Sequence, residues 1–270
     1  MGYFIRVEPE VKIYVEDVNP ECEKVILFIH GWPANHNLFE YQFNQLPKMG
    51  YRCIAIDLRG FGNSDKPFKG YSYDRLSDDV RCVVAELNLQ NFVLAGHSVG
   101  GAIAIRYMTR HNGYGVFKLA LFAAAAPSFT KRPNFPYGLT KEDVNKIIED
   151  TYNDRTKMLK EFANKFFFQN VTEAFSDWFF QLGSQAAGWS TASVAESLRD
   201  ETLFYDLQKI QVPTLILHGV HDNICPFSLA MVQKNGIQNS KLIPFENSGH
   251  GLFWEERDKF NKELAKFIEE

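Results

Sequence analysis

The stretch Asn91-Phe92-Val93-Leu94-Ala95-Gly96-His97-Ser98-Val99-Gly100-Gly101 decides the reading of this chain. Its apolar run has the bulk of a buried strand. The run ends in a serine bracketed by glycines, and Ala102-Ile103-Ala104-Ile105-Arg106-Tyr107-Met108 continues at once in a helical pattern. A strand–turn–helix junction this short holds the serine at the apex of a strained turn, with its hydroxyl exposed. Gly96 and Gly100 are needed because a Cβ at either position would collide with the neighbouring strand or helix. The bare G-x-S-x-G pattern arises by chance in roughly one chain in ten of this length. The strand before it and the helix after it therefore carry the reading. A serine hydroxyl alone is a poor nucleophile, so Ser98 requires a base and an orienting acid elsewhere.

Working outward, strands are expected at Phe4–Val7, Val11–Glu16, Lys24–Ile29, Tyr51–Ile56, Phe117–Ala123, Pro213–Leu217 and Lys241–Phe245. The first two alternate as an antiparallel edge pair would, and the later runs are continuously apolar, as in central parallel strands. Tyr73–Leu87 and Phe253–Ile268 have helical spacing. Strands alternating with helices predict an α/β fold, a mostly parallel sheet covered on both faces. Between Pro127 and about Tyr205 that rhythm stops. The expectation is a core domain of residues 1–126 and 206–270 with a helical cap, 127–205, over the carboxyl ends of the strands.

The 270 residues are 45% hydrophobic, enough for one substantial core, and the net charge is −4 with no long basic block. Nucleic-acid binding along a phosphate-tracking surface is not expected. No apolar run has the length of a membrane span, and the first residues read neither as a signal peptide nor as a myristoylation site. The four cysteines form no C-x-x-C pair, so no zinc knuckle or thioredoxin-type motif is expected. Cys53 reads as a small buried hydrophobe. The chain is read as reduced and cytoplasmic.

The turn at Ser98 supplies one oxyanion donor, the N–H of the following residue, Val99. A second is expected from His30-Gly31-Trp32-Pro33, after the third strand. Pro33 has no N–H, which leaves Trp32. Of seven histidines, only His250 lies in a glycine-flanked loop just past the last strand, in Glu246-Asn247-Ser248-Gly249-His250-Gly251. It is the candidate base, while His30 and His97 are expected to hold loops by hydrogen bonds. The acid should fall between Ser98 and His250. Asp222, in His218-Gly219-Val220-His221-Asp222-Asn223, is placed for this. Asp206 precedes its strand and would sit at the wrong end of the sheet, and Glu246 is too near His250 in sequence. The acidic pairs Asp78-Asp79 and Glu255-Glu256 read as solvated helix faces.

Taken together, these residues resemble the α/β-hydrolase superfamily. They are most similar to the cofactor-free bacterial haloperoxidase/perhydrolase and arylesterase group, whose motifs match His30–Pro33, Asp57–Pro67, Gly96–Gly101, His218–Pro226 and Ser248–Gly251. A serine at position 98 argues against the related haloalkane dehalogenases and epoxide hydrolases, which use an aspartate there. The resemblance implies an ester or lactone hydrolase working through an acyl-enzyme on Ser98, with no cofactor or metal and a small-molecule substrate. Perhydrolysis or haloperoxidation, carbon–carbon or thioester hydrolysis, and a slow-turnover ligand-binding signalling protein are the alternatives. The oligomeric state is left open.

The insertion holds many of the 24 phenylalanines. Phe166, Phe167, Phe168, Trp178, Phe179, Phe180 and Trp189 are expected to roof the pocket and favour apolar or aromatic groups. The elbow and the Ser–Asp–His set, built on the sheet, are expected not to need the cap for their chemistry.

Overall fold

The computed structural model of the protein describes residues 1–270. In chain order the strands are β1 (Gly2–Glu8), β2 (Val11–Val18), β3 (Lys24–Ile29), β4 (Tyr51–Ile56), β5 (Phe92–His97), β6 (Val116–Phe122), β7 (Thr214–Gly219) and β8 (Ser240–Phe245). The helices are α1 (Glu40–Phe43), α2 (Tyr73–Glu86), α3 (Val99–Arg110), α4 (Lys141–Phe166), α5 (Glu173–Ser184), α6 (Gly188–Asp200), α7 (Phe204–Leu207), α8 (Phe227–Gly236), α9 (Leu252–Glu255) and α10 (Arg257–Glu269). The strands form one eight-stranded sheet in the order β1-β2-β4-β3-β5-β6-β7-β8. β1 and β2 are antiparallel, β2 joins β4 antiparallel, and every other pairing is parallel.

Side-chain alternation explains the layering. Along β2, Val11, Ile13 and Val15 are buried while Lys12, Tyr14 and Glu16 turn outward, the period-two pattern of a half-covered strand. β5 and β7 are buried along their whole length, as parallel strands covered on both faces must be. Leu27, Ile29, Leu94, Leu119 and Ile216 join a core on one face. Their neighbours Ile26, Phe28, Val93, Ala95, Phe122 and Leu217 join a second core on the other. Cys53 is fully buried in that second core, and all four cysteines are free.

The helices start where local chemistry satisfies their free N–H groups. Ser72 Oγ accepts from Arg75 N at α2, Thr140 and Asp143 form a capping box at α4, and Thr172 caps α5. α4 is bent at Asp154, whose backbone (φ −153°, ψ 77°) is not helical. The expected closing helix is two, α9 and α10, because Glu256 (φ −122°, ψ 48°) leaves the helical region. Periodicity alone missed α8, which follows the Asp222 loop, and the short α1 and α7. The insertion between β6 and β7 is helical as expected, although Thr130 bridges Leu139 and Arg132 bridges Phe135 at its start. No helix is long and apolar enough to cross a membrane.

Candidate active site

Ser98 joins β5 to α3 with φ 55° and ψ −120°, a combination an L-residue adopts only under strain. The turn is held by Ser98 N donating to Phe122 O (2.9 Å) and by Ser98 O accepting from Gly101, Ala102 and Ala125. A Cβ on Gly96 would stand 2.3 Å from Gly100 O, and one on Gly100 2.2 Å from Ile29 O. Both glycines are therefore demanded by backbone approach. Gly101 is demanded for the same reason: a Cβ there would stand 2.5 Å from the Ala124 Cβ.

The histidine and acid loops meet at the carboxyl ends of β7 and β8. His250 Nδ1 lies 2.7 Å from Asp222 Oδ2, and both residues are buried. A carboxylate can only accept, so Nδ1 carries the proton and Nε2 keeps a lone pair. That Nε2 is buried and has no hydrogen-bond partner. Asp222 Oδ1 accepts from the Ile224 and Cys225 N–H groups, each at 2.8 Å. Burial opposes ionisation of Asp222, but the His250 imidazole and hydrogen bonds from His218 and His250 outweigh it. The carboxyl is held well below the usual carboxylate range. Asp206 instead accepts from Thr109 and pairs with Arg106, and Glu246 pairs with Lys259 on the surface. Both carboxylates are thus engaged away from His250.

The other histidines around the site hold loops. His30 Nδ1 donates to Gly31 O (2.9 Å) and Nε2 accepts from Leu58 N (3.0 Å). Burial pushes its pKa down to about 4. His97 Nε2 donates to His250 O (3.0 Å), and the two rings lie 4.6 Å apart. His218 Nε2 donates to Cys225 O (2.7 Å). The Gly31 loop passes directly over the serine, since a Cβ on Gly31 would lie 3.0 Å from Ser98 Cβ. Val99 opens α3, so its N–H has no intrahelical acceptor. Trp32 is anchored by its indole Nε1, which donates to Thr191 O of α6 (2.9 Å).

Ser98 opens into a cavity of about 440 Å³ that Trp32, Asn223 and Ile224 share with the insertion. Its apolar wall includes Phe129, Leu139, Val144, Ile147, Met158 and Phe162, from both arms of the bent α4 and the segment before it. Exposed Asp143, Lys146, Glu161 and Lys165 complete its solvent side. This corrects the expected substrate wall: none of Phe166, Phe167, Phe168, Trp178, Phe179, Phe180 and Trp189 lines it. Phe166 is fully buried and packs edge-on against His250 at 4.8 Å. Phe167 and Phe179 lie 4.9 and 4.5 Å from it. Trp178 packs on Phe175, and Phe180 lines a separate small void with Pro33 and Leu159. Phe168 stacks on His221, and Trp189 is bound to Pro67 O outside the cavity. Aromatic density marked the insertion's own core. The apolar spacing Val144, Ile147, Met158 and Phe162 along α4 was the signal for the wall.

The site loops touch the insertion: His250 N and Gly251 N both donate to Phe166 O, at 2.9 and 3.2 Å. Asn35 Nδ2 donates to Leu182 O and Gln185 Oε1. The acidic pairs are not solvated faces. Asp79 is buried against Arg59, and Asp78 binds Arg110. Glu255 and Glu256 accept from the backbone of the histidine loop.

A strained serine between a parallel strand and a helix, a buried His–Asp pair on later loops and an apolar cavity above them define a hydrolase of the α/β class. Residues 24–124 match the family described as alpha/beta hydrolase fold. Over 99% of both chains the protein is 50% identical to the AB hydrolase superfamily protein YisY of Bacillus subtilis (strain 168). It is 33% identical, again over 99% of both, to the bifunctional esterase/perhydrolase DCH of Acinetobacter calcoaceticus. Among solved structures, the esterase EaEST from Exiguobacterium antarcticum aligns over 100% of both chains with TM-score 0.97 and 45% identity. The chain belongs to the α/β-hydrolase superfamily, with esterases, perhydrolases and non-heme haloperoxidases among its relatives.

Proposed function

We propose that the protein is a serine hydrolase that cleaves a carboxylic ester or lactone with apolar or aromatic groups through an acyl-enzyme on Ser98. The observation that carries this reading is His250. Its Nδ1 is fixed by Asp222 and its Nε2 keeps a buried, unpartnered lone pair, while His97, the residue before Ser98, donates from its ring to the His250 carbonyl. His250 Nε2 takes the Ser98 proton as Oγ attacks the carbonyl carbon, and Asp222 stabilises the imidazolium that forms. The N–H groups of Val99 and Trp32 receive the negative charge that develops on the carbonyl oxygen. The leaving alcohol oxygen takes the proton from His250 as the C–O bond breaks. A water then gives a proton to His250 while its oxygen attacks the acyl carbon, and Ser98 recovers its proton as the acid leaves.

The apolar wall and the cavity volume suit a small ester, since ligand pockets of roughly 300–1,000 Å³ take drug-sized molecules. Turnover of p-nitrophenyl acetate and butyrate, with a fluorophosphonate adduct mapped to Ser98 by mass spectrometry, tests the reading. Stoichiometric acylation without turnover would favour a slow ligand-binding role instead. The similarity to a protein named as a bifunctional esterase/perhydrolase supports a second use of the same intermediate. Hydrogen peroxide in place of water would attack the acyl carbon, giving a peracid and free Ser98. Peracid formation that disappears with Ser98→Ala is the expected result.

A further inference from the structure

We propose that Glu255 is a positioning residue for His250, acting as a clasp between the histidine loop and the helical insertion. The proposal rests on His250 as the base. Glu255 Oε2 accepts from Gly249 N at 2.8 Å, while Oε1 accepts from Phe168 N at 2.6 Å and Gln169 N at 2.7 Å. One carboxylate thus joins the residue before His250 to the two residues that follow Phe166 and Phe167 at the end of α4. From the other side, Phe166 O receives His250 N and Gly251 N. Gln169 Nε2 closes the loop by donating to Asn247 O at 2.8 Å.

The histidine loop needs such a device because of its own sequence. Gly249 and Gly251 flank His250, and glycines leave the backbone free over a wide range. Neither can be replaced by a residue that would stiffen it. A Cβ on Gly249 would stand 2.8 Å from Phe168 N, and one on Gly251 2.3 Å from the Phe167 ring. The rigidity must come from outside the loop, and the carboxylate supplies it with charge-assisted bonds to three N–H groups. The arrangement does not favour folding. Burial raises the Glu255 pKa against the lowering effect of those N–H groups, and a carboxyl raised in the fold opposes folding wherever it is ionised. What it does secure is where the imidazole sits. Proton transfer needs that placement within about 0.5 Å, and a displacement near 1 Å costs on the order of 10²-fold.

Glu255→Gln tests this with shape retained. The amide keeps one acceptor oxygen and cannot serve Gly249 and the insertion together. The expected result on p-nitrophenyl acetate is a fall in kcat of about tenfold to a hundredfold. KM should stay within about threefold, and phosphonylation of Ser98 should slow by the same factor as kcat. In a His250→Ala background, Glu255→Gln should change the residual rate by less than about twofold, because the group acts only through the imidazole. Parental kcat in folded Glu255→Gln, or an equal loss with and without His250, overturns the proposal. If Glu255→Gln does not fold, Glu255→Asp, too short to reach both sides, is read by the same criteria. Parental turnover in His250→Ala would instead refute the base assignment, so the two failures are told apart.

Discussion

Phe162 is the residue through which the cavity wall can be read most directly. It is half-buried on the second arm of α4, lines the cavity beside Ser98, and meets the Trp32 ring edge-on at 5.0 Å. Phe162→Ala removes the ring and opens room for roughly two further methylenes of a bound acyl chain. Each methylene moved from water to an apolar wall is worth about 0.8 kcal/mol, so two give about 1.6 kcal/mol. At about 1.4 kcal/mol per factor of ten, the kcat/KM ratio of octanoate to butyrate p-nitrophenyl esters should rise about fifteenfold. Taking the ratio cancels any common loss from a loosened Trp32 loop. Trp189→Ala is the control, since its indole binds Pro67 O away from the cavity, and it should leave the ratio within about twofold. An unchanged ratio in folded Phe162→Ala, or an equal change in Trp189→Ala, would refute the assignment of the wall.

Ser98→Ala should lower esterase turnover by about 10³-fold to 10⁶-fold, and a loss under tenfold on purified protein would remove Ser98 as the nucleophile. Ser98→Gly should be equally inactive yet more stable by about 1–2 kcal/mol, because glycine accepts φ 55° and ψ −120° without strain; a lower Tm than the parent contradicts a strained turn. Asp222→Asn should cut kcat by about 10³-fold to 10⁴-fold through the wrong imidazole tautomer. Because Asp222 is held well below the usual carboxylate range, it stays ionised above pH 5. The acid limb of log kcat/KM should then have the slope of one proton; a slope of two would mean that Asp222 titrates there as well. His30 is neutral in the fold, with its pKa pushed from 6.5 to about 4. The unfolded chain binds this proton first, so stability is full above pH 6.5 and falls as pH drops toward 4. The shift corresponds to about 3 kcal/mol. Urea unfolding of the parent and His30→Gln should diverge above pH 6.5 and converge near pH 4; a constant difference would refute the account.

Much of the molecule follows from local chemistry that a sequence displays. Strands six to eight residues long with period-two or continuous apolar patterning, and helices with a Ser or Thr cap, assign themselves because backbone satisfaction and one-sided burial are near-neighbour requirements. Hence Tyr73–Glu86 and Tyr51–Ile56 stand where their periodicity puts them. The elbow at Ser98 is similarly local, since Gly96 and Gly100 are demanded by the turn itself. The acid and histidine loops are legible for a different reason. In an α/β chain the carboxyl ends of successive parallel strands face one way, so a residue just past β7 and one just past β8 must share an end of the sheet.

Tertiary structure decided what depends on where the insertion settles. Nothing in the spacing of Phe166–Phe168 says that Phe166 offers its carbonyl to His250 and turns its ring away from the cavity. A phenylalanine satisfies an internal core and a ligand wall equally well, because burial of apolar area is non-directional. Which of the two it serves is set by the bend at Asp154, where α4 changes direction over Ser98. Glu255 shows the same limit for charge. On sequence it is one of two adjacent carboxylates in a helical pattern. In space it bridges Gly249 to Phe168 and Gln169, which lie more than eighty residues before it. The sequence alone determined the sheet, the elbow and the order of Ser98, Asp222 and His250, because each rests on contacts near in the chain or on the common direction of parallel strands. The cavity wall and the bracing of the histidine loop were decided only by packing between segments far apart in sequence, which no local pattern encodes.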